Sequence, residues 1–533
     1  MCAKGDLNPH FLYGNQHLKL ARLPIPPSAH LTGSCFRTCR RKRLARHKRT
    51  PNTLGFFPRK HWGGGGKGRA CRLFVGCFEE INFARRATIR AQTSGSVVGM
   101  LEETAAIARD LIRFDTTNYG EGRSNGETDA AEYLGAQLEK LGLTPQYFDA
   151  APGRTSVIAR VEGSYEGHTG SDRPALVVHG HTDVVPADAA NWTVDPFAGE
   201  VKDGMLWGRG AVDMKDMDAM MIGALRDIIG SGKQPKRDLI IAFFADEENG
   251  GVFGSHYLVD TQPQLFSGAT EAISEVGGYS ITMNGQRAYL LQTGEKALVW
   301  IKLIARGTAA HGSRVMEDNA VTKLAEAVAK IGRLQWPIHL TDTTEQLINS
   351  LARIMGSDTQ KVSADEIVLS TGTAGGFIRG SLRTTSNPTL LSAGYKHNVI
   401  PDTAEALVDI RTIAGEEGAV LAEIRALIGD EIEIVVLHQD VGLENPFSGP
   451  LVDAMVGTLT AHDPEASVLP YILSGGTDNK ALSTLGIAGY GFAPLKLPAE
   501  LDFPGMFHGV DERVPLDALV FGRGVLGDLL LNY

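Results

Sequence analysis

Between residues 179 and 275 the chain holds four segments whose acids and histidines could act together. His179-Gly-His-Thr-Asp183 closes an apolar run that starts at Pro174. Gly208-Arg-Gly-Ala-Val-Asp-Met-Lys215 carries Asp213, Leu239-Ile-Ile-Ala-Phe-Phe-Ala-Asp-Glu-Glu248 ends in three acids, and Ala272-Ile-Ser-Glu275 ends in one. His181, Asp213, Glu247 or Glu248, and Glu275 make a nitrogen-and-oxygen donor set that suits Zn²⁺ or its neighbours. Any one of these residues alone is more often a cap or a satisfied polar group than a ligand. The joint pattern shifts that balance. Adjacent Glu247 and Glu248 at the end of an apolar strand are costly unless a cation or a raised pKa relieves the repulsion.

The elements that must position these residues are legible around them. The runs at 174–183 and 239–248 are short and rich in Val, Ile and Phe, as strands of a parallel sheet covered on both faces are. In open α/β sheets, ligands gather at the carboxyl ends of such strands. Helical spacing covers Leu101–Arg113, Thr128–Gly142 and Met214–Ile229. The last should pack behind the site, with Met214, Met217, Met220 and Met221 as core filler rather than a cofactor box. Strands are expected at Thr144–Phe148 and Ser156–Val161, and a short helix at Val252–Val259.

From about residue 292 the character changes. Strand Ala297–Ala305, loop Gly307-Thr-Ala-Ala-His-Gly-Ser313, helix Asn319–Leu334, strand Asp402–Arg411, helix Glu416–Ile428 and strand Glu431–Leu437 fit a small α+β layer. Residues 340–390 are longer and more polar than such a layer needs, and they receive no assignment. From about Asn445 the chain should return to the first sheet. Helix Pro450–Ala461, loop Ser474-Gly-Gly-Thr-Asp-Asn479, strand Ile487–Phe492 and a closing helix Pro515–Leu531 complete it. The length agrees with more than one domain, since single cores stop growing near about 250–300 residues.

The first 96 residues differ from the rest. They hold 19 Lys and Arg against 3 Asp and Glu, whereas the remainder holds 33 against 59. All five cysteines (Cys2, Cys35, Cys39, Cys71 and Cys77) lie there, so the rest of the chain has no disulfide framework. This segment has a basic run at Arg40–Arg49, a Gly63–Gly66 tract and no sustained period, a composition that cannot bury enough apolar surface to offset chain entropy. It reads as a disordered or spurious extension over 1–97. A transit peptide and a nucleic-acid arm are the competing readings, and the Cys35/Cys39 and Cys71/Cys77 spacings hint only weakly at zinc. No secretory apolar core and no apolar run of membrane-spanning length is present. A cytoplasmic protein without membrane contact is the expectation, with nucleic acid an unlikely partner.

His179-Gly-His-Thr-Asp183, Gly208–Lys215, Asp246-Glu-Glu248, Ser274-Glu-Val-Gly277 and the late Phe507-His-Gly-Val-Asp-Glu512 together resemble the M20 family of zinc peptidases and deacylases. That family includes glutamate carboxypeptidase, aminoacylase, acetylornithine deacetylase and succinyl-diaminopimelate desuccinylase. The motifs occur in family order, and the resemblance covers residue 100 or so to the C-terminus. It implies an α/β fold: a mixed, mostly parallel sheet flanked by helices, with an inserted α+β lid or dimerisation domain. The division implied is 98–291 and 441–533 for the two parts of a catalytic domain and 292–440 for the lid, through which a homodimer could form.

The resemblance also implies two Zn²⁺, for which Co²⁺ or Mn²⁺ could substitute. His181 and Glu275 would hold one, Glu248 and His508 the other, and Asp213 would bridge. Glu247 would be the general base, Asp183 would orient His181, and His311 would stabilise the oxyanion, often across a dimer. Asn398 and Arg411 look like a substrate-holding pair, and the loop at Gly475, Gly476 and Thr477 would offer backbone N–H groups or be a plain turn. Two departures stand out: Asp216 where Gly often follows Asp-Met-Lys, and Asp511 where Asn often precedes the last Glu. Both are expected in loops that affect substrate choice.

The expected function is hydrolysis of an amide bond in a small peptide or N-acyl amino acid, by metal-activated water and Glu247. The motifs do not separate carboxypeptidase, dipeptidase and deacylase. A non-catalytic peptide-binding member of the same fold, or a nucleic-acid-associated protein directed by the basic tail, are the alternatives from other classes.

Overall fold

The computed structural model describes residues 99–165 and 173–533. The basic segment, all five cysteines and Val98 lie outside the described residues. A ten-stranded mixed sheet forms the centre. Its main path runs Tyr279–Met283, Gln286–Glu295, Ala488–Gly491, Ala269–Ser274, Ala175–His181, Asp238–Phe244, Arg154–Val161 and Gln146–Ala151. Ala175–His181 is parallel to Asp238–Phe244 on one side and to Ala269–Ser274 on the other. Every residue of Ala175–His181 and Asp238–Phe244 is buried, which is why their sequences run apolar without alternation. Because these three strands are parallel, their carboxyl ends lie side by side, and the histidine and acids leave the sheet together.

Helices cover both faces of this sheet. Lys215–Gly230 buries Met217, Met220 and Met221 in the core and packs along the closing helix Leu516–Asn532. Arg523 of that closing helix donates to Asp227 and to Glu103, each at 2.7 Å. No helix among the described residues is long and apolar enough to cross a membrane.

A second, four-stranded antiparallel sheet has the order Thr385–Ala393, Thr403–Thr412, Ala297–Arg306, Ile432–Gln439. Its two central strands alternate buried and half-buried along their length. The buried face (Val299, Ile301, Leu303, Ala406, Val408 and Ile410) packs on helices Ala320–Arg333 and Glu417–Ile428 in a core of its own. The other face is open. There Leu298 stands opposite Arg411, and Trp300 stands between Asp409 and His438.

Residues 340–390 form three helices, Asp342–Met355, Ala364–Leu369 and Thr373–Arg379, before the edge strand Thr385–Ala393. The first two begin with capping boxes, Thr341 with Thr344 and Ser363 with Glu366. Their apolar faces, including Leu347, Leu351, Ile367 and Ile378, join the core of the large sheet rather than that of the small one. The chain therefore passes between the two sheets four times: at Lys296, over 334–341, over 383–384 and over 440–442. Lys296 is the single residue between strands of the two sheets. It is buried, and its ammonium donates to the Gly380 carbonyl at 3.0 Å and the Arg383 carbonyl at 2.6 Å.

Candidate metal centre

The strand ends and one late loop bring the expected donors together. His181 Nε2 lies 3.1 Å from Asp213 Oδ1, 3.6 Å from Glu275 Oε2 and 3.8 Å from Glu247 Oε2. His508 Nε2 lies 3.3 Å from Asp213 Oδ2 and 3.1 Å from Glu248 Oε2. Asp213 thus turns one carboxylate oxygen toward each histidine.

Burial sets the charge balance of this cluster. It raises the Glu247, Glu248 and Glu275 carboxyls, and the neighbouring acids add to the effect, Glu275 reaching about 8. Burial opposes a proton on His181, but Glu275, Asp183 and Asp213 outweigh it and hold that imidazole well above its usual range. Asp213, equally buried, is held well below the carboxylate range by His181 and His508. Contacts to Asp213 and Glu248 push His508 up to about 11. Glu248 Oε1 has no hydrogen-bond partner. Buried His181, Asp213 and Glu275, half-buried Glu247 and Glu248, and exposed His508, with an unpaired oxygen on Glu248, make a donor set that fits divalent cations. Two groups of three, His181–Glu247–Glu275 and His181–Asp213–Glu248, each have ligand atoms within 4.8 Å of one another. Glu247 belongs to the first group, so its position serves a ligand or a base.

The backbone is strained where these donors leave the sheet. Asp246, Val276 and His508 adopt left-handed φ values of 67°, 53° and 57°. That conformation costs a non-glycine residue about 1–2 kcal/mol, and strain of this kind gathers at functional sites. Asp246 precedes Glu247, Val276 follows Glu275, and His508 is itself a donor.

A buried polar network supports the cluster from behind. The Asp183 carboxylate accepts from the Glu247 N–H at 3.0 Å, the Glu248 N–H at 3.2 Å and Asn118 Nδ2 at 2.9 Å. His181 Nδ1 lies 3.0 Å from the Asp183 backbone carbonyl and 3.6 Å from its carboxylate. The main chain of Asp183 therefore meets the ring more closely, while its side chain fixes the turn that carries Glu247 and Glu248. Asn118 Nδ2 also reaches Asp246 Oδ1 at 2.9 Å, and Arg154 joins Asp246 to the buried Glu127. Glu512 accepts from Arg209 and, at 2.7 Å, from the Gly210 N–H. It fastens the loop of Asp213 to the loop of His508. Sequence reasoning did not single out Asn118, Arg154 or Glu127, because each acts through partners distant in the chain.

Above the cluster lies a cavity of about 470 Å³. Its floor is Asp213, Glu247, Glu248, Glu275 and His508, and its roof is the open face of the small sheet: Leu298, Trp300, Arg411 and His438. Arg411 gives Nε and Nη2 to Asp409 at 2.7 and 3.0 Å and points Nη1 toward the Ser474 carbonyl at 3.5 Å. It is thus both paired with a neighbouring acid and on the cavity wall. Gly476 lines the cavity against Lys480, where a Cβ would come within 2.8 Å of Nζ. Thr477 also lines it, but its N–H and hydroxyl both donate to buried Glu295, at 2.9 and 2.6 Å. Thr477 therefore has no donor to spare for a substrate, contrary to the expectation from its loop.

His311 and Asn398 are not on the cavity wall. His311 is on the small ribbon formed by Ala310–His311 and Val399–Ile400, exposed and bonded to Ser313 Oγ at 2.9 Å, and Asn398 directly precedes the second strand, its carbonyl accepting from the Gly312 N–H. Asp216 is buried in the first turn of Lys215–Gly230 rather than in a loop, so it does not face a substrate. Asp511 does lie in a loop, where it accepts from Thr193 N–H and Oγ1.

Known proteins resemble this chain in sequence and in fold. The model of peptidase family M20/M25/M40 matches residues 177–532. The chain is 28% identical over 433 residues to the N-fatty-acyl-amino acid synthase/hydrolase PM20D1 of Xenopus tropicalis, covering 77% of this chain and 82% of that one. It is 25% identical over 405 residues to human aminoacylase-1, covering 74% and 87%. An M20 family metallo-carboxypeptidase from Sulfolobus solfataricus superposes with a TM-score of 0.62 at 17% identity, covering 80% of this chain and 99% of its own. The chain belongs to peptidase family M20/M25/M40 and is an amide-bond hydrolase.

Proposed function

We propose that this protein uses two divalent cations, zinc in the first instance, to hydrolyse N-acyl amino acids, with small peptides as the second substrate class. The observation that carries the reading is Asp213, one oxygen toward His181 and the other toward His508, ringed by Glu247, Glu248 and Glu275. That arrangement suits His181 and Glu275 on one cation, Glu248 and His508 on the other, and Asp213 on both. When bound, the metal pair supplies Lewis acidity, acidifying a water and polarising the amide carbonyl.

The chain's own groups do the rest. Glu247 takes the proton from the water and passes it to the leaving amine. Asp183 and Asn118 hold the turn that aims Glu247. Arg411 meets the substrate carboxylate, for which a guanidinium is well shaped, and Gly476 allows close approach of the substrate to the backbone. His311 and Asn398, displayed together away from the cavity, would reach the site of a second copy, where the imidazole would donate to the developing oxyanion. PM20D1 and aminoacylase-1 are named for N-acyl amino acid chemistry, which favours that class over peptides.

The test is free-amine release by the zinc-loaded full chain on N-acetyl, N-octanoyl and N-succinyl amino acids, dipeptides and folyl glutamates. We expect cleavage of N-acyl amino acids. Cleavage of dipeptides alone would move the assignment to a peptidase. No cleavage with two metals bound would remove this substrate class.

A further inference from the structure

The last of the three helices of 342–379 also reaches the metal cavity, through Phe377. Phe377, from Thr373–Arg379, stacks on Phe507 with centroids 6.1 Å apart and planes 17° apart. Phe507 directly precedes His508. Phe503 meets Phe507 edge-on at 5.5 Å, and Tyr471 lies 6.0 Å from Phe377. With Val276 and Leu473, Phe377 and Phe507 form a patch of the cavity lining that offers no hydrogen bond. A cluster serving only the core would bury its rings, as Tyr279 and Tyr471 are buried. Phe377 and Phe507 pack against the same core but stay partly exposed, and they line the space above the donors.

The polar partners for a substrate's charged end come from elsewhere. Arg411 and His438 belong to the small sheet and line the same cavity, with Arg411 Nη1 turned toward the carbonyl of Ser474, the residue after Leu473. An N-acyl amino acid has one charged end and one acyl end, and the cavity offers the Arg411 guanidinium for the first and the Phe377–Phe507 patch for the second.

We propose that Phe377, placed by the inserted helices against Phe507, determines specificity: this wall takes a medium or long alkyl chain, or an aryl ring, as the acyl group. The proposal rests on the function given above, since it names the acyl group of that substrate. Apolar pockets discriminate by contact area, so the effect should grow with each methylene of the acyl chain.

The test uses the zinc-loaded full chain with Phe377→Ala and Phe377→Leu. Two readouts are taken: kcat/KM on N-octanoyl and N-acetyl amino acids, and the dissociation constant of octanoate by calorimetry. The octanoyl-to-acetyl ratio should fall about tenfold in Phe377→Ala, mostly through KM. Octanoate binding should weaken in parallel, and Phe377→Leu should recover part of both. An unchanged ratio with unchanged octanoate affinity overturns the proposal. If no N-acyl amino acid is cleaved but octanoate binding still weakens in Phe377→Ala, the acyl wall stands and the hydrolase assignment fails. Absence of octanoate binding to the unsubstituted protein overturns the wall.

Discussion

The two sheets contribute to one cavity in opposite ways. In the large sheet, Ala175–His181 and Asp238–Phe244 are buried along both faces, so only their ends are free to carry chemistry. Among the described residues, the donors brought together at the candidate metal centre leave from those ends or from loops beside them. In the small sheet only one face is covered, and the useful side chains, Trp300, Arg411 and His438, stand along the open face instead. The difference is one of tolerance. A strand end is held by close packing on both faces of the sheet behind it, whereas an open face offers area, suited to holding the length of a substrate.

That contrast can be broken by substitution. The largest effect should come from the strand end. Glu247→Gln should lower turnover about a thousandfold, as loss of a general base does, while elemental analysis still finds the metal of the unsubstituted protein. Loss of metal would instead make Glu247 a ligand in the group with His181 and Glu275. On the open face, Arg411→Ala should raise KM about 10–100-fold for substrates with a free carboxylate. Amide analogues of the same substrates should change much less, and an equal change would remove Arg411 from that role.

The smallest effect belongs to the amino end of a large-sheet strand, away from the chemistry. Burial would raise the Asp238 carboxyl, but Arg173, the Gly163 N–H and Arg160 outweigh it and hold it below its usual range. Asp238→Asn should cost about 2 kcal/mol near neutral pH, read from the denaturant midpoint. Because the folded pKa is depressed, this contribution is present above the usual carboxylate range and fades as pH falls through the folded value. The gap between the two proteins should therefore narrow in acid. Unaltered metal content and kcat in Asp238→Asn would sharpen the division between the ends of the sheet.

Much of this site was readable because the buried strands announce themselves. Continuous apolar runs ending in His-Gly-His-Thr-Asp and Asp-Glu-Glu mark a strand with candidate donors at its end, and His181, Asp213, Glu248, Glu275 and His508 lie close together in the structure. The hairpin Tyr279–Met283 with Gln286–Glu295 was equally legible and went unread. Its turn is Asn284-Gly285, both with positive φ, a strong local hairpin signal. Ser363-Ala-Asp-Glu366 is likewise a readable helix start. Strand Thr385–Ala393 was not readable, since Pro388 lies within it and most of its outer half is exposed. The part played by Phe377 was hidden for a different reason: it depends on a ring far along the chain, which no local pattern encodes.

The four crossings between the sheets carry a mechanical consequence. A layer joined by two neighbouring strands of chain can swing about them as a door does. Here two further crossings flank the helices of 342–379, and Lys296 bonds one joint to carbonyls at the far end of those helices. The small sheet is braced like a box, and its freedom is the slack in four tethers rather than rotation about a single axis.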